Sequence, residues 1–142
     1  MPGLFGTNAR VTSDLNLLLQ IIIIIILFLG VKYGKEKTQD SLKTHRRITA
    51  IAVVLNAVSF MFVMGPSVVS YFSAPLGELS TFGIVSTLFH AVFGGMAEVL
   101  GIAFVFNKKP KNVRLWMRLT RWLWVIAFVL GVSLYLQVAG LV

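Results

Sequence analysis

The segment TFGIVSTLFHAVFGGMAEVLGIAFVF, Thr81–Phe106, decides the fold of this chain. As a helix it is long enough to cross a bilayer, for which ~20 apolar residues suffice. Yet His90 and Glu98 sit inside it among Phe, Val, Leu, Ile, Gly and Ala. A charge at the centre of a bilayer costs at least ~2.5–3.5 kcal/mol. Such residues are therefore turned away from lipid, paired, or used.

The composition around this segment agrees with a membrane chain. Of 142 residues, 57% are hydrophobic, and a soluble domain of this size needs far more polar surface. The absence of cysteine excludes disulfides, thiolate metal sites and cysteine nucleophiles. A net charge of +8 raises nucleic acid as a partner. We reject that reading because the basic residues lie in short segments between membrane-length apolar runs, where they act as topology signals and contacts to lipid headgroups.

Four runs qualify as spans: Leu15–Val31, Ile48–Phe72, Phe82–Phe106 and Leu119–Leu141. The first has only Arg10 in its N-terminal flank, partly offset by Asp14, and no small-residue cleavage site follows Gly30, so it reads as a retained helix and not as a signal peptide. Its isoleucine run, Ile21–Ile26, favours strand in water, but a lone strand in lipid leaves its backbone unsatisfied and helix wins. Lys32–Arg47 and Asn107–Arg118, with Arg121 just beyond, hold all but one of the 13 basic residues. Ser73–Thr81 has Glu78 and no basic residue. The positive-inside rule then places 32–47 and 107–118 in the cytoplasm and both termini outside. Trp116, Trp122 and Trp124 suit an interfacial belt, as do Tyr33 and Tyr71. The expected architecture is all-α: a single integral membrane domain over 1–142, an up-and-down four-helix bundle in the cell membrane. Gly65-Pro66 inside the second span predicts a kink or a hinge.

Within the third span, Gly83, Thr87, His90, Gly94, Ala97 and Gly101 recur at steps of four and three and so share one helix face. All but His90 are small, as suits close helix packing in lipid. Glu98 borders this face. Eight residues of helix separate Glu98 from the cytoplasmic end of its span, and the same number separates Asn56 from that end of the second; both lie at ~12 Å depth. Asn56 and Glu98 are therefore expected to be hydrogen-bond partners or to share a water. His90 falls in an outer polar layer with Gln20, Met64, Ser133 and Gln137. It reads either as a packing histidine bonded to Ser or Gln, or as a group for ligand, cofactor or proton work. Glu98 reads equally as structural or proton-handling.

Two histidines among four apolar helices invite a haem. His45, in Lys43-Thr44-His45-Arg46-Arg47, lies at the cytoplasmic start of the second span, and His90 lies ~24 Å away along the membrane normal. Metal–imidazole bonds of ~2 Å do not allow both to hold one iron. His45 reads as part of a basic stop beside headgroups, or as a metal ligand. The sequence has no Gly-rich phosphate loop, carboxylate–histidine cluster or Ser-His-Asp set, which argues against an autonomous hydrolase or kinase.

Three features together resemble a family of small four-helix bacterial and archaeal membrane proteins of unknown function, some linked to assembly of haem-copper cytochrome oxidases. They are Lys43–Arg47 entering the second span, Leu88-Phe89-His90-Ala91, and Leu119-Thr120-Arg121-Trp122-Leu123-Trp124 leading to Gly131-Val132-Ser133-Leu134-Tyr135-Leu136. The resemblance runs from Leu15 onward and implies histidines on each side of the membrane. Two further histidines of the family pattern are replaced here within Ser70-Tyr71-Phe72 and Val113-Arg114-Leu115-Trp116. Only His45 and His90 transfer. Three functions follow: a non-catalytic accessory or assembly subunit of a membrane respiratory or redox complex; a haem- or copper-binding electron-transfer subunit; or a small oligomeric transporter or channel using Asn56, Glu98 and His90. The expected partners are the lipid bilayer and other membrane protein subunits.

Overall fold

Lys37 adopts a left-handed backbone (φ 58°) and ends the first helix, α1 (Val11–Glu36). Thr38 then caps the next, α2 (Gln39–Ser59), its side chain accepting from Ser41 N–H at 3.1 Å. A side-chain oxygen at this position satisfies one of the amides that a helix start leaves free. The computed structural model describes residues 3–73, 81–108 and 110–141. After α2 come a π-helical turn (Phe60–Met64), α3 (Gly65–Phe72), α4 (Thr81–Val105) and α5 (Val113–Val138). No strand occurs among the described residues.

The helices reach beyond the apolar runs. Lys43, His45, Arg46 and Arg47 lie within α2, so the expected connection 32–47 is mostly helix and its turn is only Lys37–Thr38. The basic residues Arg114 and Arg118 likewise belong to α5, which ends at Val138, short of Leu141. Helix stops are set by local caps as well as by polarity. Asn107 (φ 59°) closes α4, with Lys108 N–H bonded to Ala103 O at 2.9 Å and Asn107 N–H to Phe104 O at 3.0 Å. Gly140 (φ 70°) closes α5 with the same pair of backbone bonds, from Leu141 to Leu136 and from Gly140 to Gln137. Such double closures need a left-handed residue, and glycine and asparagine adopt that conformation most readily. The connection carrying Glu78 lies outside the described residues.

The expected kink takes a specific form. Pro66 has no N–H and its ring crowds the carbonyl four residues back. The chain widens by one residue per turn just before it, and Gly65 N–H reaches back to Phe60 O. A Cβ on Gly65 would stand 3.0 Å from that oxygen, so the residue there is small. α2, the π turn and α3 thus form one continuous helical stretch, Gln39–Phe72.

Packing runs α1 on α2, α2 on α4, α4 on α5 and α5 on α1. Paired positions rise on one helix as they fall on the next, Gly30 with His45 and Gln20 with Asn56, so α1 and α2 are antiparallel. Asn56–Glu98 and Val53–Gly101 set the same relation for α2 and α4. The core joins Ile23, Ala52, Val53, Ala97, Leu123 and Trp124. Of the three tryptophans assigned to an interfacial belt, Trp122 is exposed but Trp124 is buried in this core. Two residues turn a helix by about 200°, so Trp122 and Trp124 face opposite ways. Trp124 shares its face with Ala127.

Large apolar side chains remain exposed on all four long helices, among them Ile22, Val54, Val92 and Val129. These helices are each long and apolar enough to cross a membrane, which is consistent with a multi-pass membrane protein. The small-residue face of α4 meets α2 closely at Gly101. A Cβ on Gly101 would lie 2.9 Å from Val53 Cγ2, whereas one on Gly95 would meet nothing within 4 Å. Gly101→Ala is therefore expected to lower stability by about 1–3 kcal/mol through overpacking, and Gly95→Ala not to lower it. Unfolding midpoints of the two variants in the same detergent check this.

Candidate functional site

Glu98 organises the polar interior. It lies on α4 with only 7% of its surface exposed. Its Oε2 accepts from Asn56 Nδ2 at 2.7 Å, the pairing expected from equal depth along two antiparallel helices. Asn56 Oδ1 in turn accepts from Gln20 Nε2 at 3.0 Å. The same Gln20 nitrogen lies 3.3 Å from Ser59 Oγ, and that hydroxyl donates to Asn16 Oδ1. One chain of hydrogen bonds thereby ties α1, α2 and α4 together. Among the described residues Glu98 Oε1 has no protein partner.

Gln20 was expected in the layer of His90, and the structure corrects this. Its position on α1 sets it one turn from Asn16 and opposite Asn56 and Ser59, where it completes both of their hydrogen bonds. Ser133 and Gln137 do not reach His90 either, since Gln137 Nε2 turns back to Ser133 O, one turn earlier on its own helix. His90 is bound instead to the backbone of α5. Its Nδ1 lies 2.8 Å from Ala127 O. A carbonyl oxygen only accepts, so Nδ1 carries the hydrogen and donates it, which leaves Nε2 as the free nitrogen.

Gly131 makes this approach possible. A Cβ there would stand 2.9 Å from His90 Cε1. The second histidine repeats the device on α1. His45 Nδ1 donates to Gly30 O at 2.7 Å, and a Cβ on Gly34 would lie 3.2 Å from the same nitrogen. Each ring fits a notch opened by glycine on the neighbouring helix.

His45 packs on α1 close to the Lys37–Thr38 turn, and His90 packs on α5. The two are not brought together, as expected from their depths. No group of three or more His, Cys, Asp or Glu able to hold a metal occurs among the described residues. The donors that the resemblance offers a haem or a copper ion, His45 and His90, thus do not assemble into one site.

His90 does line a partly open cavity of about 270 Å³ between the helices. Its walls come from every helix and include Asn16 and Gln20 (α1), Asn56 (α2), Phe60 and Met64 (π turn), Tyr71 (α3), Thr87, Gly94 and Ala97 (α4), and Trp124 and Gly131 (α5). Of the α4 stripe, Gly83, Thr87, Ala97 and Gly101 are buried, while His90 and Gly94 are half-buried at the cavity. Glu98 lies behind Asn56 and is not part of the wall.

A second buried acid closes the end where the chain termini lie. Asp14 is fully buried. Tyr135 O–H donates to its Oδ1 at 2.8 Å, and Phe5 N–H approaches its Oδ2 at 3.4 Å. Asn8 N–H also reaches Ala139 O at 3.4 Å, so the segment before α1 is tied to the end of α5. Asp14, Asn16, Ser59 and Gly131 are structural residues that sequence reasoning missed. An acid in the first turn of a helix is ordinarily a partner of the helix dipole, and nothing local marks this one as buried. Comparison with family models, curated proteins and solved structures finds no match for this chain.

The hydrogen-bond chain has a direct test. Asn56→Leu removes Glu98's partner and both acceptor and donor for the surrounding groups. The expected loss is about 1–3 kcal/mol, the cost of a buried polar group left unmet. In Asn56→Leu/Glu98→Leu the carboxyl is gone as well and part of the loss is recovered. Equal unfolding midpoints for the unaltered chain and Asn56→Leu would show that the bond contributes nothing.

Proposed function

We propose that this chain is a multi-pass protein of the cell membrane that serves as a non-catalytic accessory or assembly subunit of a respiratory or other redox complex. The observation that carries the reading is how the interior polar groups are used. Asn16, Gln20, Asn56, Ser59 and Glu98 bond to one another across three helices. They serve the scaffold and do not converge on a reacting centre. The exposed apolar side chains on every long helix suit lipid and partner helices alike. The resemblance to small four-helix membrane proteins, some linked to oxidase assembly, supplies the kind of complex.

In this reading the four helices form an up-and-down bundle. The basic residues around the Lys37–Thr38 turn and around 107–118 face the cytoplasm, and both termini lie outside. The natural sequence has no cysteine, so single cysteines report topology cleanly. Ser73→Cys in intact cells is expected to react with a membrane-impermeant maleimide, and Lys108→Cys only after permeabilisation. The reverse pattern overturns the orientation. The partner is tested by affinity purification of the tagged full chain from its native membrane, followed by peptide identification. Enrichment of redox-complex subunits over an unrelated four-span control is expected, and their absence overturns the assignment.

A further inference from the structure

The cavity beside His90 has walls and a polar group suited to a ligand. The geometry points to a binding site for a lipid-soluble phenol, whose hydroxyl donates to His90 Nε2. This goes beyond the accessory reading and stands whether or not the chain joins a complex.

Four observations carry it. The bond from Nδ1–H to Ala127 O fixes the ring, and the neutral imidazole then presents a lone pair at Nε2. No described residue bonds that nitrogen, and the ring lines the cavity. The other polar side chains of the wall near Asn56 already bond one another, as described above. They compete little for a ligand. Thr87, one turn from His90 on the same helix face, adds a hydroxyl to the same wall. A hydroxyl ligand both donates and accepts, and His90 with Thr87 offers the complement of each.

Size and lining select the rest of the molecule. An apolar cavity of ~150 Å³ holds benzene. At about 270 Å³ this one has room for a substituted ring, and it lies below the ~300–1,000 Å³ common for drug-sized ligands. Phe60, Tyr71, Trp124 and Phe128 contribute aromatic surface to it, which favours offset or edge-on contact with another ring. An aliphatic alcohol satisfies His90 but not these walls. An unsubstituted arene does the opposite.

The test uses the full chain in lipid nanodiscs with Trp116→Phe and Trp122→Phe, leaving Trp124 at the cavity as the only tryptophan. 4-Butylphenol and its methyl ether, 4-butylanisole, are titrated against Trp124 fluorescence. Saturable quenching by the phenol is expected, with the ether about tenfold or more weaker because it cannot donate to Nε2. His90→Phe is expected to abolish the preference. Thr87→Val, which keeps the side chain's shape, weakens phenol and ether alike, because the oxygen of either accepts from Thr87, and leaves the phenol's preference over the ether in place, which confines that preference to His90. Equal affinity for phenol and ether in the unaltered cavity overturns the proposal. So does an undiminished preference in a folded His90→Phe chain, or quenching that rises linearly without saturation, as partitioning into lipid alone produces.

Discussion

A carboxyl group held among apolar helices is the constraint around which the interior is arranged. Glu98 cannot leave its polar atoms without partners at small cost, because burial removes the water that would otherwise solvate them. Asn56 meets one oxygen. An amide, however, brings its own donor and acceptor, so Asn56 in turn needs Gln20, and the line continues through Ser59 to Asn16. Each added residue meets a polar group of the one before it, while Glu98 Oε1 is met by none of the described residues. The result joins α1, α2 and α4 at fixed rotations about their axes. Apolar contacts alone do this poorly, since one leucine or valine substitutes for another with little change in packing energy.

The histidines are handled differently. Each donates Nδ1–H to a main-chain carbonyl of the adjacent helix, through a gap left by glycine. A helical carbonyl has a second lone pair, so the bond is made without breaking the helix. It also fixes the tautomer and leaves Nε2 as the nitrogen that carries no hydrogen. For His45 this occurs at the α1–α2 contact near the turn. For His90 it occurs at the α4–α5 contact, where Nε2 borders the cavity. The same local geometry therefore has a different chemical setting at its two sites, and His90 is the one that lines the cavity between the helices.

The sequence was most legible where position along a helix was enough. Asn56 and Glu98 could be paired by counting residues, because two antiparallel helices, one starting and the other ending at a common level, bring equal depths together. The close-packed face of α4 could be read from its seven-residue spacing, and Gly101 against Val53 realises it. Gln20 could not be placed this way. The isoleucine run of α1 is apolar on all sides, so nothing in it indicates which way the helix is rotated. His90's partner was equally hidden, since a backbone carbonyl leaves no mark in the sequence. Asp14 looked like an ordinary helix-start acid, and its burial arises from Tyr135 and from the segment before α1.

By itself, then, the amino-acid sequence determined the helical class, the four apolar stretches, the face on which α4 packs and the level at which its acid lies. These follow from periodicity and from the cost of exposing backbone polar groups in an apolar setting, both properties of a single segment. Only the tertiary structure decided the rotation of α1, the burial of Asp14 and Trp124, and the anchoring of His90 beside a cavity. Those depend on which atoms of other helices come within hydrogen-bonding or van der Waals reach. That is a property of the packed set and of no segment alone.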